Sequence, residues 1–247
     1  MKTLIVGASG ELGAAVAEHL ANAGHEVILH GHKNIAALQN VGDKTGARTL
    51  VAADVTSEAA VADLIATATQ DGKLDGLVYA AGINTTATAI AEMSLDSWNH
   101  TLAVNLTGAF LCTRAALPFL RLSERGAIVL ISSIFGLNSP ANRGAYGVSK
   151  HGLSGLVQST SKEEAPRVRV NAVCPGPMWT ENVRRIFAYH AKSVGISVEE
   201  YVKQRRAQIP MGRFLDPREC ASVITYLLSE EARFITGETI RISGGEA

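Results

Sequence analysis

The amino-acid sequence predicts an α/β fold built on a doubly wound parallel sheet. Three observations predict it: short apolar runs alternate with helical periodicity along the chain, the runs are apolar on both faces, and glycine marks the first junction between run and helix. Leu4-Ile5-Val6 reads as the first strand, and Leu12, Val16 and Leu20 recur at i, i+4 and i+8, the spacing of one helix face. Val27-Ile28-Leu29 is the second strand and completes a β-α-β unit. Thr49-Leu50-Val51 gives the third strand and residues 58–68 a helix, followed by a fourth strand at Leu74-Asp75-Gly76-Leu77-Val78-Tyr79. A long helix is expected over 95–122, a strand at Ile128-Val129-Leu130-Ile131, a helix over 145–164 and a strand at Val168-Arg169-Val170-Asn171-Ala172-Val173. The chain closes with a helix over 217–228 and the strand Glu238-Thr239-Ile240-Arg241-Ile242. Strands that are apolar on both faces need helices above and below them, and about seven strands of this kind form one sheet.

At 247 residues, and with roughly 100 to 200 residues per domain, residues 1–247 are expected to form one domain. No repeat, low-complexity tract or linker divides it. The one departure from the βα rhythm is 180–209, helical, basic-leaning and without a strand, which is the candidate substrate lid. A composition of 47% apolar and 19% charged residues can bury a core. Lys plus Arg is 23 and Asp plus Glu is 23, so no net field draws the chain to nucleic acid or to an anionic membrane. Cys112, Cys174 and Cys220 are odd in number and lack C-x-x-C spacing, which suits a reducing cytoplasm and neither a disulfide framework nor a zinc site. The apolar run at the N-terminus is too short for a signal sequence, and no stretch approaches the roughly 18 apolar residues of a membrane span. A soluble cytoplasmic protein is expected.

Gly7-Ala8-Ser9-Gly10-Glu11-Leu12-Gly13 lies at the first β-α junction. There glycines permit a tight turn and let backbone N–H groups at a helix N-terminus approach a pyrophosphate, as in Rossmann dinucleotide sites; a purely structural turn is the bland alternative. The acid that would hold an adenosine ribose 2′-OH is missing after the second strand, which runs Val27-Ile28-Leu29-His30-Gly31-His32-Lys33. Gly31 leaves room, and His32 and Lys33 supply donors and positive charge for a 2′-phosphate, so NADP (NADPH) is favoured over NAD. A solvated loop is the alternative for those two residues. His30 and His32 form an H-x-H pair, but without a third ligand no metal site is assigned.

Tyr146-Gly147-Val148-Ser149-Lys150 puts a phenol and an ammonium on one helix face. At about 5 Å and an effective dielectric near 20, their attraction of about 3 kcal/mol would bring a tyrosine pKa from about 10 to about 8. Tyr146 could then exchange a proton near neutral pH. Taken alone, the spacing is more often an ordinary surface pair.

With these residues in place the sequence resembles the short-chain dehydrogenase/reductase family over essentially its whole length. The resemblance matches the family's serine to Ser133 in Ile131-Ser132-Ser133 and its helix asparagine to Asn105 in Val104-Asn105-Leu106-Thr107-Gly108. Asp54-Val55 resembles the adenine-contacting segment, and Pro175-Gly176-Pro177-Met178-Trp179-Thr180 resembles the P-G-x-x-x-T segment, whose threonine contacts the nicotinamide amide. Ala81-Gly82 resembles the end of the N-N-A-G stretch, where Tyr79-Ala80 replace both asparagines, so a sheet-stabilising side-chain hydrogen bond is expected to be lost. In the glycine turn Val6 stands for the usual threonine, and Gly10 gives G-x-x-G-x-x-G spacing. The tail from Gly212-Arg213-Phe214 to Ser243-Gly244-Gly245 resembles the 3-oxoacyl-ACP reductase type.

The resemblance implies reversible hydride transfer between nicotinamide and a carbonyl carbon. Tyr146 would act as proton donor, Ser133 as hydrogen-bond donor to the carbonyl oxygen, Lys150 as partner of the phenol and of the nicotinamide ribose, and Asn105 as holder of a water. Taken singly, Ser133 reads as a strand-end cap and Asn105 as a helix-kink residue. The expected substrate is a small carbonyl compound or an acyl thioester, with acyl carrier protein a candidate partner; Glu124-Arg125 and Pro166-Arg167 match carrier-docking positions only in part. Arg184, Arg185 and His190 could meet an anionic substrate, or simply form a solvated face. An NAD-dependent dehydrogenase of a small hydroxy compound, a non-catalytic dinucleotide sensor and an epimerase or dehydratase with tightly held NAD are the alternatives. Apolar residues in excess on the 95–122 and 145–164 helices, with the family's pairing of those helices, imply a homotetramer, or failing that a dimer.

Overall fold

The computed structural model describes residues 1–84 and 87–246; residues 85, 86 and 247 of the expected domain lie outside that description. Seven strands, β1 (Lys2–Val6), β2 (Glu26–Gly31), β3 (Thr49–Ala52), β4 (Gly76–Tyr79), β5 (Gly126–Ile131), β6 (Val168–Pro175) and β7 (Thr239–Ile242), form one parallel sheet in the order β3-β2-β1-β4-β5-β6-β7. The chain winds outward from β1 to β3 and resumes on the other side of β1 at β4. Connections therefore leave in opposite directions at the C-terminal ends of β1 and β4, and a crevice opens there.

Alternation along each strand explains why nearly every strand residue is apolar. Leu4, Val6, Leu77, Ile128 and Leu130 face one way and pack beneath α3 (Glu58–Ala68), α5 (Gly108–Leu120) and α6 (Gly144–Glu164). Ile5, Leu29, Val78, Val129 and Val173 face the other, beneath α1 (Glu11–Asn22), α2 (Ile35–Thr45) and α9 (Pro217–Leu228). The sequence reading does not include α2, whose buried side chains are only Leu38 and Val41. Its ends are well marked: the Asn34 side chain accepts from the Ala37 amide at 3.0 Å, and Gly46 closes it in the left-handed conformation.

The long helix expected over 95–122 is interrupted. α4 (Leu95–Leu102) runs into a π-helical turn at Ala103–Thr107 before α5 begins. Tyr79, which stands where an asparagine was expected, is fully buried and its hydroxyl donates to the Val104 carbonyl at 2.5 Å. The tie between sheet and helix that the sequence reading counted as lost is thus supplied by a phenol. Leu95–Leu120 is also long and apolar enough to cross a membrane by length and composition alone, contrary to the expectation that no stretch approaches this. Its Ala109, Leu111, Cys112, Ala116 and Leu120 are packed in the core.

The 180–209 segment is two helices, α7 (Glu181–Val194) and α8 (Val198–Ala207). Phe187, Ile209 and Phe214 form a small core of their own, against which Ile186, Tyr201 and Val202 pack, and Trp179 stacks on Phe214 with centroids 5.0 Å apart. Tyr189 and Val194 are exposed.

Candidate active site

The glycine turn does two separable jobs. Gly7 has φ 91°, and a Cβ there would lie 2.5 Å from the Ala81 amide nitrogen; one on Gly13 would overlap the Gly7 carbonyl oxygen. These two glycines let β1, the 80–82 loop and α1 close on one another. Gly10 is the N-cap of α1, supplies no side-chain cap, and a Cβ there would meet nothing nearer than the Gly7 oxygen at 3.5 Å. The first-turn N–H groups of α1 are left for an anion.

Around this turn the predicted residues separate into two groups. Gly10, Leu12, Gly13, Gly82, Ser133, Tyr146, Lys150, Pro175, Gly176 and Thr180 line one cleft of about 1020 Å³. Gly7 and Ala81 sit behind it in mutual contact, and Ser9 lies beside Gly31. Val55 is buried against Gly108. Asp54 follows β3, its carboxylate accepting from the Thr56 amide at 2.9 Å and hydroxyl at 2.8 Å, which holds it below the usual carboxylate range. His32 and Lys33 are exposed just beyond β2, and His32 lies close enough to act on Asp54. His30 is a structural group: Nδ1 accepts from the Gly7 amide at 3.2 Å and Nε2 donates to the Ala53 carbonyl at 3.0 Å, while burial lowers its pKa. Among the described residues no group of three potential metal ligands comes together.

The four residues matched to the family's catalytic set converge from three elements. The π-helical turn carries buried Asn105, whose Oδ1 accepts from the Ile83 amide at 2.8 Å and whose Nδ2 donates to the Ile83 carbonyl at 3.0 Å and to Ser149 Oγ at 3.1 Å. Ser133 follows β5 and its Oγ accepts from the Phe135 amide at 3.2 Å, so the strand-end capping role is present; it also lies close enough to the Tyr146 hydroxyl to act on it. Tyr146 and Lys150 lie one turn apart on α6. Lys150 Nζ donates to the Ile131 carbonyl at 2.8 Å and stands 5.8 Å from the Tyr146 ring centroid.

The electrostatics depart from the sequence reading. Burial pushes the Tyr146 phenol above its ordinary value, and what pulls back is the Ser133 hydrogen bond followed by the charge of Arg143, not Lys150. Burial in turn lowers the Lys150 ammonium to about 8. Arg143, three residues before the tyrosine, was missed; only its place at the start of the same helix could have signalled it. Glu11, also unassigned, accepts from the Glu181 amide at 2.5 Å, which joins the α1 turn to the first residue of α7 across the cleft. Thr180 caps that lid helix, its Oγ1 accepting from the Val183 amide at 3.3 Å.

A cleft with backbone donors at a helix end and a phenol beside a serine and a buried lysine suits an oxidoreductase that works with a nicotinamide dinucleotide. Residues 7–246 match the family model described as enoyl-(acyl carrier protein) reductase. The 3-oxoacyl-[acyl-carrier-protein] reductase of Aquifex aeolicus is 36% identical over 250 residues, covering 98% of this chain and 96% of the relative. Among solved structures, actinorhodin polyketide ketoreductase with NADPH superposes with a TM-score of 0.92 at 27% identity, covering 99% of this chain and 96% of that one. NAD⁺-bound xylitol dehydrogenase gives 0.91 at 31%, covering 99% and 98%. The chain belongs to the short-chain dehydrogenase/reductase family.

Proposed function

We propose that this oxidoreductase is an NADPH-preferring carbonyl reductase, reversible as an alcohol dehydrogenase, acting on a small ketone or an acyl thioester. The observation that carries the reading is the Tyr146 hydroxyl beside Ser133 and Lys150 in the same cleft as the uncapped α1 N-terminus. When bound, the nicotinamide supplies the hydride. Ser133 orients the substrate oxygen and stabilises charge developing on it, and the Tyr146 hydroxyl gives that oxygen its proton. Lys150, fixed on the Ile131 carbonyl, places a cation beside the phenol and the cofactor ribose. Asn105 holds the 83 backbone and Ser149, so its part is to fix the wall on which Lys150 acts. Gly10, Leu12 and Gly13 would hold the pyrophosphate, Asp54 and Val55 the adenine side, and Thr180 the nicotinamide side.

Exposed His32 and Lys33, with no acid in the β2 loop, support NADPH over NADH. A small free ketone fits as well as a carrier-bound thioester, because Arg125 at a carrier-docking position is paired with Glu230 at 3.1 Å. A cofactor sensor without turnover has no need of four converging groups. Three buried free thiols are consistent with a reducing cytoplasm. Phe110 and Val148, exposed on the outer faces of α5 and α6, support assembly into a homotetramer through those helices. Leu153 and Val157 on α6 are buried in the core and add nothing to this surface. One experiment tests the reading: a panel of ketones and acyl thioesters followed at the nicotinamide absorbance with NADPH and NADH, wild type beside Lys33→Glu, with sedimentation of the same sample. NADPH is expected to be favoured by about tenfold, roughly 1.4 kcal/mol, with Lys33→Glu narrowing the gap. Equal cofactor constants would remove the NADP assignment, and an active monomer the tetramer.

A further inference from the structure

Beside the cleft stands a cation that proton transfer does not require. Arg143 ends the loop that leads into α6, and its backbone is held from several sides. It forms a parallel bridge with Thr88, and the Thr88 amide donates to the Asn142 carbonyl at 3.0 Å. Asn142 adopts φ 63°, a left-handed conformation that asparagine tolerates better than most residues. Gly144 then admits the Ile90 side chain so closely that any Cβ would overlap it. The segment around 88–93 therefore fixes the start of α6, and Arg143 with it.

The side chain is placed as firmly as the backbone. Arg143 Nη1 donates to Asn84 Oδ1 at 3.1 Å, and Nη2 lies 3.4 Å from His190 Nε2. A guanidinium has only donors, so His190 Nε2 is the acceptor and its proton sits on Nδ1. Burial and the charge of Arg143 both lower the His190 pKa, which keeps that ring neutral. Tyr146 and Tyr201 are the groups whose charge acts on Arg143. Asn84, Tyr146 and Tyr201 all line the cleft, and the guanidinium stands directly behind Asn84, close enough to act on both tyrosines. It is half-buried, and an anion reaching it would leave water and feel the charge at reduced screening.

We propose that Arg143 is a specificity-determining residue that receives the carboxylate of a short oxo acid or hydroxy acid, whose carbonyl or hydroxyl carbon is then presented to Ser133 and Tyr146. This rests on the oxidoreductase reading and narrows its substrate class. The planar guanidinium is suited to a carboxylate, and Asn84, which accepts from it, holds it in place. His190 enters as the neutral acceptor that orients Arg143. The cationic residues Arg184 and Arg185 on the same lid are not required.

The test compares short oxo acids with their methyl esters, pairs that share a carbon skeleton and differ in charge, in NADPH-dependent turnover by wild type, Arg143→Gln and Arg143→Lys. Because Arg143 also acts on Tyr146, each variant is read as the acid-to-ester ratio of kcat/KM, in which an effect on the tyrosine cancels. Wild type is expected to favour the acids; Arg143→Gln should lower the ratio by about tenfold or more, chiefly through KM, and Arg143→Lys should restore part of it. A second reading needs no turnover: NADPH-loaded protein titrated with the matching hydroxy acids should bind them about tenfold more weakly in Arg143→Gln. No preference for acids in wild type, or equal losses on acid and ester, overturns the proposal. Hydroxy-acid binding that depends on Arg143 without any turnover would sustain it while overturning the carbonyl-reductase reading. Turnover of esters with no role for Arg143 in acid binding would do the reverse.

Discussion

Two helices bring their N-terminal ends to the cleft, and they do so by opposite means. α1 offers backbone: no side chain caps it, and it reaches its place because Gly7 and Gly13 let main chain pack on main chain. α6 offers side chains, and what surrounds them comes from distant parts of the sequence: Ser133 after β5, Asn105 from the π-helical turn and Asn84 after β4. A backbone site depends on the absence of atoms, so it tolerates no addition at its contact points. A side-chain site depends on functional groups, so it is lost by deletion while the fold survives.

The largest effect should follow from breaking the backbone side. A methyl at Gly13 would overlap the Gly7 carbonyl oxygen, with the Ala8 Cα also closer than 3 Å, and neither is a flexible side-chain end that could yield. Gly13→Ala is expected to cost about 4 kcal/mol or more, read as a large fall in melting temperature, with NADPH affinity lost in whatever remains folded. Gly10→Ala is the internal control, since its Cβ would meet only ordinary contact at 3.5 Å. If the two variants melt alike, the division of roles within the turn is wrong.

Deletion on α6 should act on turnover instead. Tyr146→Phe removes one oxygen, keeps the ring edge-on to Phe135 at 6.3 Å, and should lower kcat by about 10²-fold or more with melting temperature and NADPH affinity close to wild type. In wild type, burial raises the phenol, so it holds its proton through neutral pH. Reduction should therefore run undiminished across neutral pH and fall only in the alkaline range, while oxidation, which needs the phenolate, should gain as pH rises. A Tyr146→Phe enzyme keeping more than about a tenth of kcat would move the general acid elsewhere.

The same contrast explains what could be read from the chain alone. Gly7 and Gly13 are legible because only glycine satisfies close main-chain approach, and strands apolar at successive positions announce a sheet covered on both faces. The π-helical turn at 103–107 was not legible as such; Asn105 marked it only through family resemblance, and its hydrogen bonds to Ile83 depend on where the β4 loop passes. Tyr79 looked like the loss of a hydrogen bond because its reach to Val104 is a fact of packing. Arg143 carried no signal beyond its place at the start of α6, since its partners Asn84 and His190 lie 59 and 47 residues away. Nor could the spacing of Tyr146 and Lys150 reveal that the ammonium would face the Ile131 carbonyl.

That last residue gives the smallest and most diagnostic expectation. Lys150 is buried and its pKa falls to about 8, against about 10.4 for an exposed lysine. Below about pH 8 folded and unfolded chains both hold the proton, and the folded chain bears the full burden of a buried charge. Between there and the ordinary lysine value the unfolded chain binds more protons, so stability rises with pH; above it the burden is gone. Lys150→Met removes the charge and keeps most of the apolar stem. Loss of the hydrogen bond to Ile131 offsets part of the gain, leaving about 1–2 kcal/mol in favour of the variant at neutral pH. The variant should therefore melt higher than wild type near pH 7, lose that advantage by about pH 10, and turn over substrate poorly throughout. Melting temperatures of the two proteins across that range check it; a variant less stable than wild type at pH 7 would mean that Lys150 stabilises the fold, and that α6 is not held in place independently of its catalytic side chains.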